Sequence, residues 1–338
     1  MWVKLTVPKF WEQKNIISYA LLPFSLIYQG IVRLRKLYYR LVAGKKPQVP
    51  VIVVGNITVG GSGKTPMVIY LTELLASKGY RPGIISRGYG GKSSAYPLIV
   101  TPNSKVEEVG DEALLLAHRT QFPVVVAPNR AIAVNALHKK CDVIISDDGL
   151  QHYALHRDIE LVVIDPNLGL ENKFCLPAGP LRETIARLQD VDFVIKNYNV
   201  DWTGDTYSMI MEPVVVSNLK DPTLTKKITD FKNQVVHAIA GIGNPKRFFQ
   251  TLRQHEVQVI EHPFPDHHIF QPKDFLFQDN AHIIMTEKDA VKCQTMADHN
   301  FWYLQVAAKL SDEFAAQILD KLIAILKNKE RVCELVDS

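Results

Sequence analysis

The sequence has few cysteines and lacks a strong membrane-spanning segment. Its four cysteines, at 141, 175, 293 and 333, include no pair at metal-ligand spacing. We therefore expect reduced thiols in a cytosolic protein and no disulfide framework. The uncharged apolar run at residues 16–32 is at the short limit for crossing a bilayer and is interrupted by Pro23 and Gly30. No small-residue cleavage site precedes the glycine-rich loop at 58–65, so we expect no secretory signal.

Acidic residues are absent between Gln13 and Thr72, an interval that contains eight Lys or Arg residues. The whole chain has a net charge of only +4, which does not indicate nucleic-acid binding. No obligate protein partner is evident either. The basic character is thus local to the N-terminal part, where an anionic membrane surface is one candidate partner.

Residues 10–42 fit a helix that Pro23 should kink or divide. Basic residues lie on one face, and an apolar stripe recurs at steps of three or four. The stripe comprises Ile17, Leu21, Phe24, Ile27, Ile31, Leu34, Tyr38 and Leu41. The pattern alone fits two structures equally: an interfacial helix lying on an anionic membrane, or an amphipathic helix packed on the domain core.

Strand-like apolar runs alternate with helical segments through the first two thirds of the chain. Such β-branched runs predict a parallel sheet covered by helices on both faces. The runs are 49–56, 81–91, 122–130, 141–149, 159–166 and 191–197. Each ends in a polar or glycine-containing loop, and ligands of such sheets bind at the carboxyl ends of the strands. A second β-α-β pattern begins near residue 231 and ends in a helix.

The segment "VIVVGNITVGGSGKTP" places a phosphate-binding loop after a buried strand and before a helix. Its eight positions are Thr58, Val59, Gly60, Gly61, Ser62, Gly63, Lys64 and Thr65. Backbone N–H groups of such a loop surround phosphates, the Lys reaches the terminal phosphates, and the Ser/Thr hydroxyl ligates Mg²⁺. Thr58 replaces the first glycine of the usual pattern, but the surrounding strand, glycines and helix still predict nucleotide binding.

Acidic residues at strand ends are candidates for the magnesium site, since P-loop enzymes use an Asp that follows a hydrophobic strand. Asp147 and Asp148 end "DVIISDDG", and Asp165 ends "LVVID". The adjacent pair beside a glycine is the stronger candidate. A loop-capping role is the alternative for any one of them.

Several polar residues could position or deprotonate an acceptor hydroxyl. Asp111 begins a helical segment, where an acid is also favoured by the helix dipole alone, and His267 lies in a polar loop. Arg87, Arg130 and Arg182 could pair with phosphates, or could be solvated surface residues. His152 and His156, four apart, could ligate a metal, although few further ligands accompany them.

Seven segments together resemble the lipid A 4'-kinases (tetraacyldisaccharide 4'-kinases), membrane-associated P-loop kinases of lipopolysaccharide synthesis. They are "GNITVGGSGKTP", "SRGYGG", "VGDEALLLA", "SDDGLQHYALHRDIEL", "LPAGPLRE", "FPDHH" and "MTEKDAVK". The resemblance covers nearly the whole chain, and it makes Thr58 part of a family-specific loop. It implies transfer of the ATP γ-phosphate to the 4'-hydroxyl of a tetraacyldisaccharide 1-phosphate at the cytoplasmic face of the inner membrane.

The resemblance also implies roles for single residues. Lys64 would contact the transferring phosphate. Mg²⁺ would be held by Thr65 together with Asp147, Asp148 and Glu183. Asp111 would be the base for the sugar hydroxyl, helped by His267 from a second domain, and Arg87 and Arg182 would contact substrate or phosphate. The basic N-terminal helix would then lie on the membrane that carries the lipid acceptor.

We expect an α/β protein with a P-loop kinase-like α/β/α sandwich and a smaller α/β domain. The predicted parts are an interfacial helix region at 1–45, a nucleotide-binding domain at 46–198, a two-stranded linker at 199–230 and a smaller domain at 231–338. A soluble kinase for a small molecule is one rival. The other is a GTPase-type switch or metallochaperone, but the "TEKD" at 286–289 has its lysine one place late for guanine recognition.

Overall fold

The computed structural model describes residues 8–42, 46–165, 170–197 and 206–336, with the side chains of the last helix described up to residue 329. The strands are β1 (Val51–Gly55), β2 (Pro82–Ser86), β3 (Leu98–Val100), β4 (Val124–Val126), β5 (Val143–Asp147), β6 (Ile159–Ile164), β7 (Phe193–Lys196), β8 (Tyr207–Ser208), β9 (Ile210–Asn218), β10 (Thr225–Lys226), β11 (Val235–Ala240), β12 (Gln258–Pro263), β13 (His282–Thr286) and β14 (Phe301–Lys309). The helices are α1 (Ile16–Ala20), α2 (Leu22–Leu41), α3 (Lys64–Ser77), α4 (Val106–Val109), α5 (Asp111–Thr120), α6 (Arg130–Leu137), α7 (Pro245–Gln254), α8 (Glu287–Cys293) and α9 (Asp312–Val336).

The first sheet has the strand order β3-β4-β2-β5-β1-β6-β7-β8. All pairings are parallel except β3 with β4, and β1 is buried along its whole length at the centre. The six strands predicted from apolar runs are all present, because continuous β-branched runs suit strands covered on both faces. The short edge strand β3 was not predicted. The carboxyl ends of β1, β5, β6 and β7 therefore lie at one edge, where the polar loops gather.

The second sheet has the order β10-β9-β14-β13-β11-β12. The strands β11, β12, β13 and β14 run parallel, and β9 runs antiparallel along β14. Phe231, Phe249 and Trp302 lie in the buried cluster on one side of this sheet. The chain therefore folds as a mixed α/β protein with two mainly parallel sheets.

The connecting segment and the last helix differ from their expected places. The segment predicted as a two-stranded linker contributes β8 to the first sheet and β9 and β10 to the second. The helix α9 packs Phe314, Ile318 and Leu322 into the core of the first sheet, beside Tyr70 and Phe193. It buries its apolar face there because α3, β7 and β8 leave an apolar surface uncovered. The domain limits themselves remain a prediction.

The N-terminal helices have their apolar stripe on the outside. Pro23 lies in the first turn of α2, so the predicted helix is divided into α1 and α2. The face of α2 against the protein is polar: Ser25 Oγ donates to the carbonyl of Cys175 at 2.9 Å, and Tyr28 Oη to that of Arg182 at 3.0 Å. Leu34 and Leu41, by contrast, are 69% and 78% exposed. The alternative of an amphipathic helix packed on the core through its apolar stripe is therefore wrong.

Candidate active site

The glycine-rich loop between β1 and α3 has the geometry of a phosphate cradle. Gly60 and Gly63 have φ values of +109° and +94°, which glycine adopts readily and other residues rarely. Lys64 is the first residue of α3. The free N–H groups and the positive end of this helix dipole therefore lie at the loop, where they attract anions. The loop at 58–65 is thus suited to hold phosphates.

Asn197, at the end of β7, braces this loop. Its buried Nδ2 donates to the carbonyl of Ser62 at 2.9 Å, and a Cβ on Gly63 would lie 2.3 Å from that nitrogen. On the other side, the backbone N–H of Val59 donates to the carbonyl of Pro180 at 2.9 Å. Sequence analysis missed Asn197, although its place after a buried strand at the ligand edge of the sheet was a usable indication.

Asp148 lies between two cations of the cleft. Lys64 Nζ is 3.6 Å from its Oδ1, and Arg182 Nη1 is 3.2 Å from its Oδ2. Burial raises the pKa of Asp148, but the charges of Lys64 and Arg182 outweigh burial and hold that pKa below its usual value. Its φ of +47° is rare for a residue other than glycine, and such strain is concentrated at functional sites.

Asp147, the last residue of β5, is almost completely buried. Its Oδ2 accepts a hydrogen bond from Ser86 Oγ at 3.4 Å, whereas its Oδ1 has no hydrogen-bond partner among the described residues. Burial and the charges of Glu112 and Asp148 raise the pKa of Asp147 well above its usual range. A divalent cation beside Oδ1 would supply the positive charge that this buried carboxylate lacks. The donors at this strand end therefore fit magnesium.

The other predicted metal ligands are placed differently. Thr65 lines the cleft in the first turn of α3. Both carboxylate oxygens of Glu183 face other side chains, with Gln151 Nε2 at 2.9 Å and Arg187 Nε at 3.4 Å. In the part of the chain that the structure describes, no group of three or more His, Cys, Asp or Glu side chains could hold a metal ion. Mg²⁺ commonly keeps waters and substrate phosphates as ligands, so such a group is not required.

Asp111 and His267 meet across the cleft from opposite sheets. Asp111 begins α5 beside the first sheet, and His267 lies in the loop after β12 of the second. The Nδ1 of His267 is 2.9 Å from Oδ2 and 3.2 Å from Oδ1 of Asp111. The side chain of Asp111 is 4% exposed and that of His267 28% exposed. Asp111 and His267, which the resemblance implies act together, are therefore in contact.

The two members of this pair shift one another's pKa. Burial raises the pKa of Asp111, but the hydrogen bond to His267 and the charge of Lys288 lower it below its usual value. Burial lowers the pKa of His267, but the hydrogen bond to Asp111 and the nearby carboxylates raise it above 6.5. Since a higher pKa makes a stronger base, the imidazole is the better proton acceptor of the two.

The loop at 58–65 and His267 line one cleft with a volume of about 1160 Å³. Arg87, Tyr89, Arg130 and His152 also line it, and α2 contributes Arg35. Burial, together with the positive charges around it, lowers the pKa of His152 to about 4. The arginines responsible are Arg130, Arg157, Arg35 and Arg87. This wall of the cleft is therefore strongly electropositive and suited to an anionic group.

Asp165 and the two histidines at 152 and 156 are the remaining candidate metal ligands from the sequence. Asp165 is buried and lines the same cleft, as Asp148 does. His156 Nε2 lies 3.3 Å from Asp158, whereas His152 lines the cleft. These histidines belong to no metal-holding group among the described residues.

The comparisons with known proteins show which family the chain belongs to. The sequence profile of the tetraacyldisaccharide-1-P 4'-kinases matches residues 17–323. The chain belongs to this family. A tetraacyldisaccharide 4'-kinase from Nitrosococcus oceani is 45% identical over 325 residues, which are 95% of each protein. One from Pseudoalteromonas atlantica is 46% identical over 306 residues, covering 89% of this chain and 99% of the relative.

A solved structure from the same family shows the same fold. The crystal structure of LpxK from Aquifex aeolicus in complex with ATP has a TM-score of 0.77 and 33% sequence identity to this chain. The match covers 92% of this chain and 99% of that one. The predicted P-loop kinase-like fold and the resemblance based on seven motifs are thereby confirmed. The alternative of a GTPase-type switch has no support, since the family is one of kinases.

Proposed function

We propose that this chain is an ATP-dependent kinase that transfers the γ-phosphate of ATP to the 4'-hydroxyl of a tetraacyldisaccharide 1-phosphate, which forms lipid IVA in lipid A synthesis. The observation that carries the proposal is that the phosphate loop and His267, which contacts the buried Asp111, line a single cleft. Membership of the kinase family supports the identity of the donor and the acceptor.

The donor side of the cleft is formed by the loop at 58–65. Its backbone N–H groups would hold the ATP phosphates, and Lys64 would stabilise the charge on the transferring group. Thr65, Asp147 and Asp148 are the residues that would hold Mg²⁺, directly or through water. Glu183, which contacts Gln151 and Arg187, would belong to the surroundings of the ion and not bind it directly. The ion would neutralise phosphate charge when bound.

The acceptor proton would leave through the Asp111–His267 pair. The resemblance implied that Asp111 is the base, but its carboxylate is buried and already faces the imidazole. We assign the accepting atom to Nε2 of His267. The side chain of His267 is more exposed than that of Asp111, and its pKa is raised above the usual value for histidine, whereas the pKa of Asp111 is lowered. Asp111 would hold the ring and stabilise the imidazolium that forms.

The acceptor's own phosphate would bind at the electropositive wall of the cleft. Arg87 and Arg35 lie there, and Arg35 comes from α2. Arginine is suited to this role, since its planar guanidinium binds phosphate oxygens in pairs. Arg182, also predicted as a phosphate contact, forms an ion pair with Asp148 in this structure. Its guanidinium would be available to phosphate if Asp148 bound a metal ion instead.

The exposed apolar face of α2 would lie on the cytoplasmic face of the inner membrane. No helix in the described ranges is long and apolar enough to cross a bilayer. An interfacial position instead would cover Leu34 and Leu41, with basic residues of the same segment near anionic headgroups. A lipid-borne acceptor would then reach the cleft along the membrane surface.

Transfer of radiolabelled γ-phosphate tests this function. With Mg²⁺ and detergent, we expect labelled product from tetraacyldisaccharide 1-phosphate and ATP, and little from GTP. Lys64→Met should reduce turnover by on the order of 10² or more. Lys78→Met, on the C-terminal side of α3, is the matched control and should leave turnover unchanged. Equal transfer by Lys64→Met and wild type would show that the loop does not act in catalysis.

A further inference from the structure

Lys288 has no role in the function proposed so far, although it lies in the "TEKD" segment that fails as a guanine motif. It is the second residue of α8, and its side chain is 16% exposed. Its Nζ lies 3.0 Å from Glu112 Oε1, 3.2 Å from Asp266 Oδ1 and 3.4 Å from His267 Nε2. One ammonium group therefore contacts α5 of the first sheet and the His267 loop of the second.

The charge on Lys288 determines how the imidazole is protonated. Burial lowers the pKa of Lys288, but the carboxylates of Glu112, Asp111 and Asp266 raise it well above its ordinary value, so the group remains an ammonium ion. An ammonium has donors only, and His267 Nε2 must therefore accept from it. Nδ1 then carries the ring proton and donates it to Asp111. Nε2 is then the unprotonated ring nitrogen, and its single lone pair would take up the acceptor's proton when the hydroxyl replaces the ammonium as its hydrogen-bond donor.

The neighbours of Lys288 along α8 hold its backbone in place. Glu287 pairs with Arg119 of α5 at 2.7 Å, which is a second link between the two sheets. Asp289 is fully buried and accepts from the backbone N–H of Gly241 at 2.8 Å and from Thr286 Oγ1 at 2.6 Å. Contacts with α5 and with the end of β11 therefore fix the start of α8, from which Lys288 projects.

We propose that Lys288 is a positioning residue for phosphoryl transfer: it joins Glu112 to Asp266 across the cleft and holds the His267 ring against Asp111 with Nε2 unprotonated. The proposal rests on the proposed function of the Asp111–His267 pair. The charged groups that face His267 are Asp111, Asp266 and Lys288, and the ring of Tyr89 packs against it with centroids 4.9 Å apart. Lys288 is the cation among them.

The test compares Lys288→Met, His267→Asn and the double variant in the phosphotransfer assay. Lys288→Met should lower kcat by roughly 10- to 100-fold, because a displaced catalytic group loses its alignment. The Kd of a fluorescent ATP analogue should change by less than about twofold. Because Lys288 acts through His267, the double variant should be no slower than His267→Asn alone. Lys309→Met, which removes an exposed lysine of β14, is the control and should match wild type.

Losses that multiply in the double variant, or a wild-type kcat in Lys288→Met, would overturn the proposal. If His267→Asn itself retains full kcat, the proposed function of the pair has failed instead, so the two failures are distinguishable. A further readout is the acid limb of the kcat profile. It should move to higher pH in Lys288→Met, because the ammonium lowers the pKa of both His267 and Asp111, and should stay in place in Lys288→Arg.

Poor folding of Lys288→Met would be detected as a lowered Tm, and Glu112→Gln then tests the same link with a nearly isosteric change. We expect Glu112→Gln to lower kcat by a smaller factor and to add no loss to His267→Asn. If the double variant Glu112→Gln/His267→Asn has a lower kcat than His267→Asn alone, a link through the imidazole is contradicted.

Discussion

The Nδ1 of His267 lies 2.9 Å from Oδ2 of Asp111, although the two residues are 156 positions apart and belong to different sheets. The contact exists only because the loop after β12 reaches the N-terminus of α5. The proton-accepting pair therefore needs residues from both sheets.

The first prediction concerns this pair. Asp111→Asn keeps the shape of the side chain and removes its charge, so kcat should fall by on the order of 10²–10³. The carboxylate raises the pKa of His267, and its removal lowers that pKa. A base works when unprotonated, so the acid limb of the kcat profile should move to lower pH. Steady-state assays from pH 5 to 9 measure both effects.

Glu108→Gln is the control for this experiment, because it removes an exposed acid from α4 close to Asp111 in sequence. It should have the kcat and the pH profile of wild type. An Asp111→Asn variant with an unmoved acid limb would contradict the coupling of the two residues.

Asp147 should limit stability. Its pKa is raised in the folded protein, so the stability from binding that proton is fully present below the unfolded pKa of about 3.9 and is lost as pH rises through the folded pKa. Asn resembles the protonated carboxyl group. Asp147→Asn should therefore have a higher Tm than wild type at pH 8, nearly the same Tm at pH 4, and low kinase activity.

Thermal unfolding without nucleotide or metal measures this difference. Asp142→Asn is a control of opposite sign, because the hydrogen bond from Arg81 lowers the pKa of Asp142 in the folded protein. It should not gain stability at pH 8. Equal Tm values for wild type and Asp147→Asn at pH 8 would contradict the assignment of a buried carboxylate whose pKa is raised by folding.

Gly243 should be intolerant of any side chain. It lies after β11 against the phosphate loop, and a Cβ at this position would be 2.7 Å from the backbone nitrogen of Gly61. Gly243→Ala should hold the second sheet away from the loop and lower kcat at least tenfold, since small misplacements cost much in catalysis. Gly30→Ala, with no atom within 4 Å of the added Cβ, should be active. A fully active Gly243→Ala would show that this approach is not needed for turnover.

The outer face of α2 should bind membranes. Leu26, Ile27 and Leu34 are 65%, 61% and 69% exposed, and burying each fully in a lipid interface would contribute about 1.5–3 kcal/mol. Replacing all three by Asn should abolish flotation with vesicles that contain anionic phospholipid, with Tm unchanged. Leu276→Asn is the control, because this leucine is 79% exposed and lies between β12 and β13 of the second sheet. Flotation of the triple variant at the wild-type level would show that α2 does not lie on the membrane.

The sequence predicted local features of the fold better than long-range ones. Six of the seven strands from Val51 to Lys196 were predictable, because a buried parallel strand has a continuous apolar sequence. The destination of α9 was not, since its apolar face fits either sheet equally well by pattern. For α2 the periodicity showed two faces but not which one faces out, and only the buried contacts of Ser25 and Tyr28 decide this.

The sequence predicted several residues of the candidate site but not the tertiary contacts that join them. The phosphate loop and Asp147 follow from local pattern, because a strand, a turn and a helix place them without help from distant residues. The roles of Asn197 and Lys288 depend on tertiary contacts with Ser62 and Glu112, which no spacing in the sequence encodes. Arg182 was predicted to contact phosphate, and its pairing with Asp148 likewise depends on the folded loop.

The position of the transferred phosphate is the most direct test of the proposed reaction. The chain would be incubated with ATP, Mg²⁺ and tetraacyldisaccharide 1-phosphate in detergent, beside a non-lipid glucosamine, and each product examined by mass spectrometry and ³¹P NMR. We expect one added phosphate, on the 4'-hydroxyl of the lipid acceptor, and little product from glucosamine. ATP hydrolysis without a phosphorylated lipid, or equal phosphorylation of glucosamine, would contradict the proposed reaction.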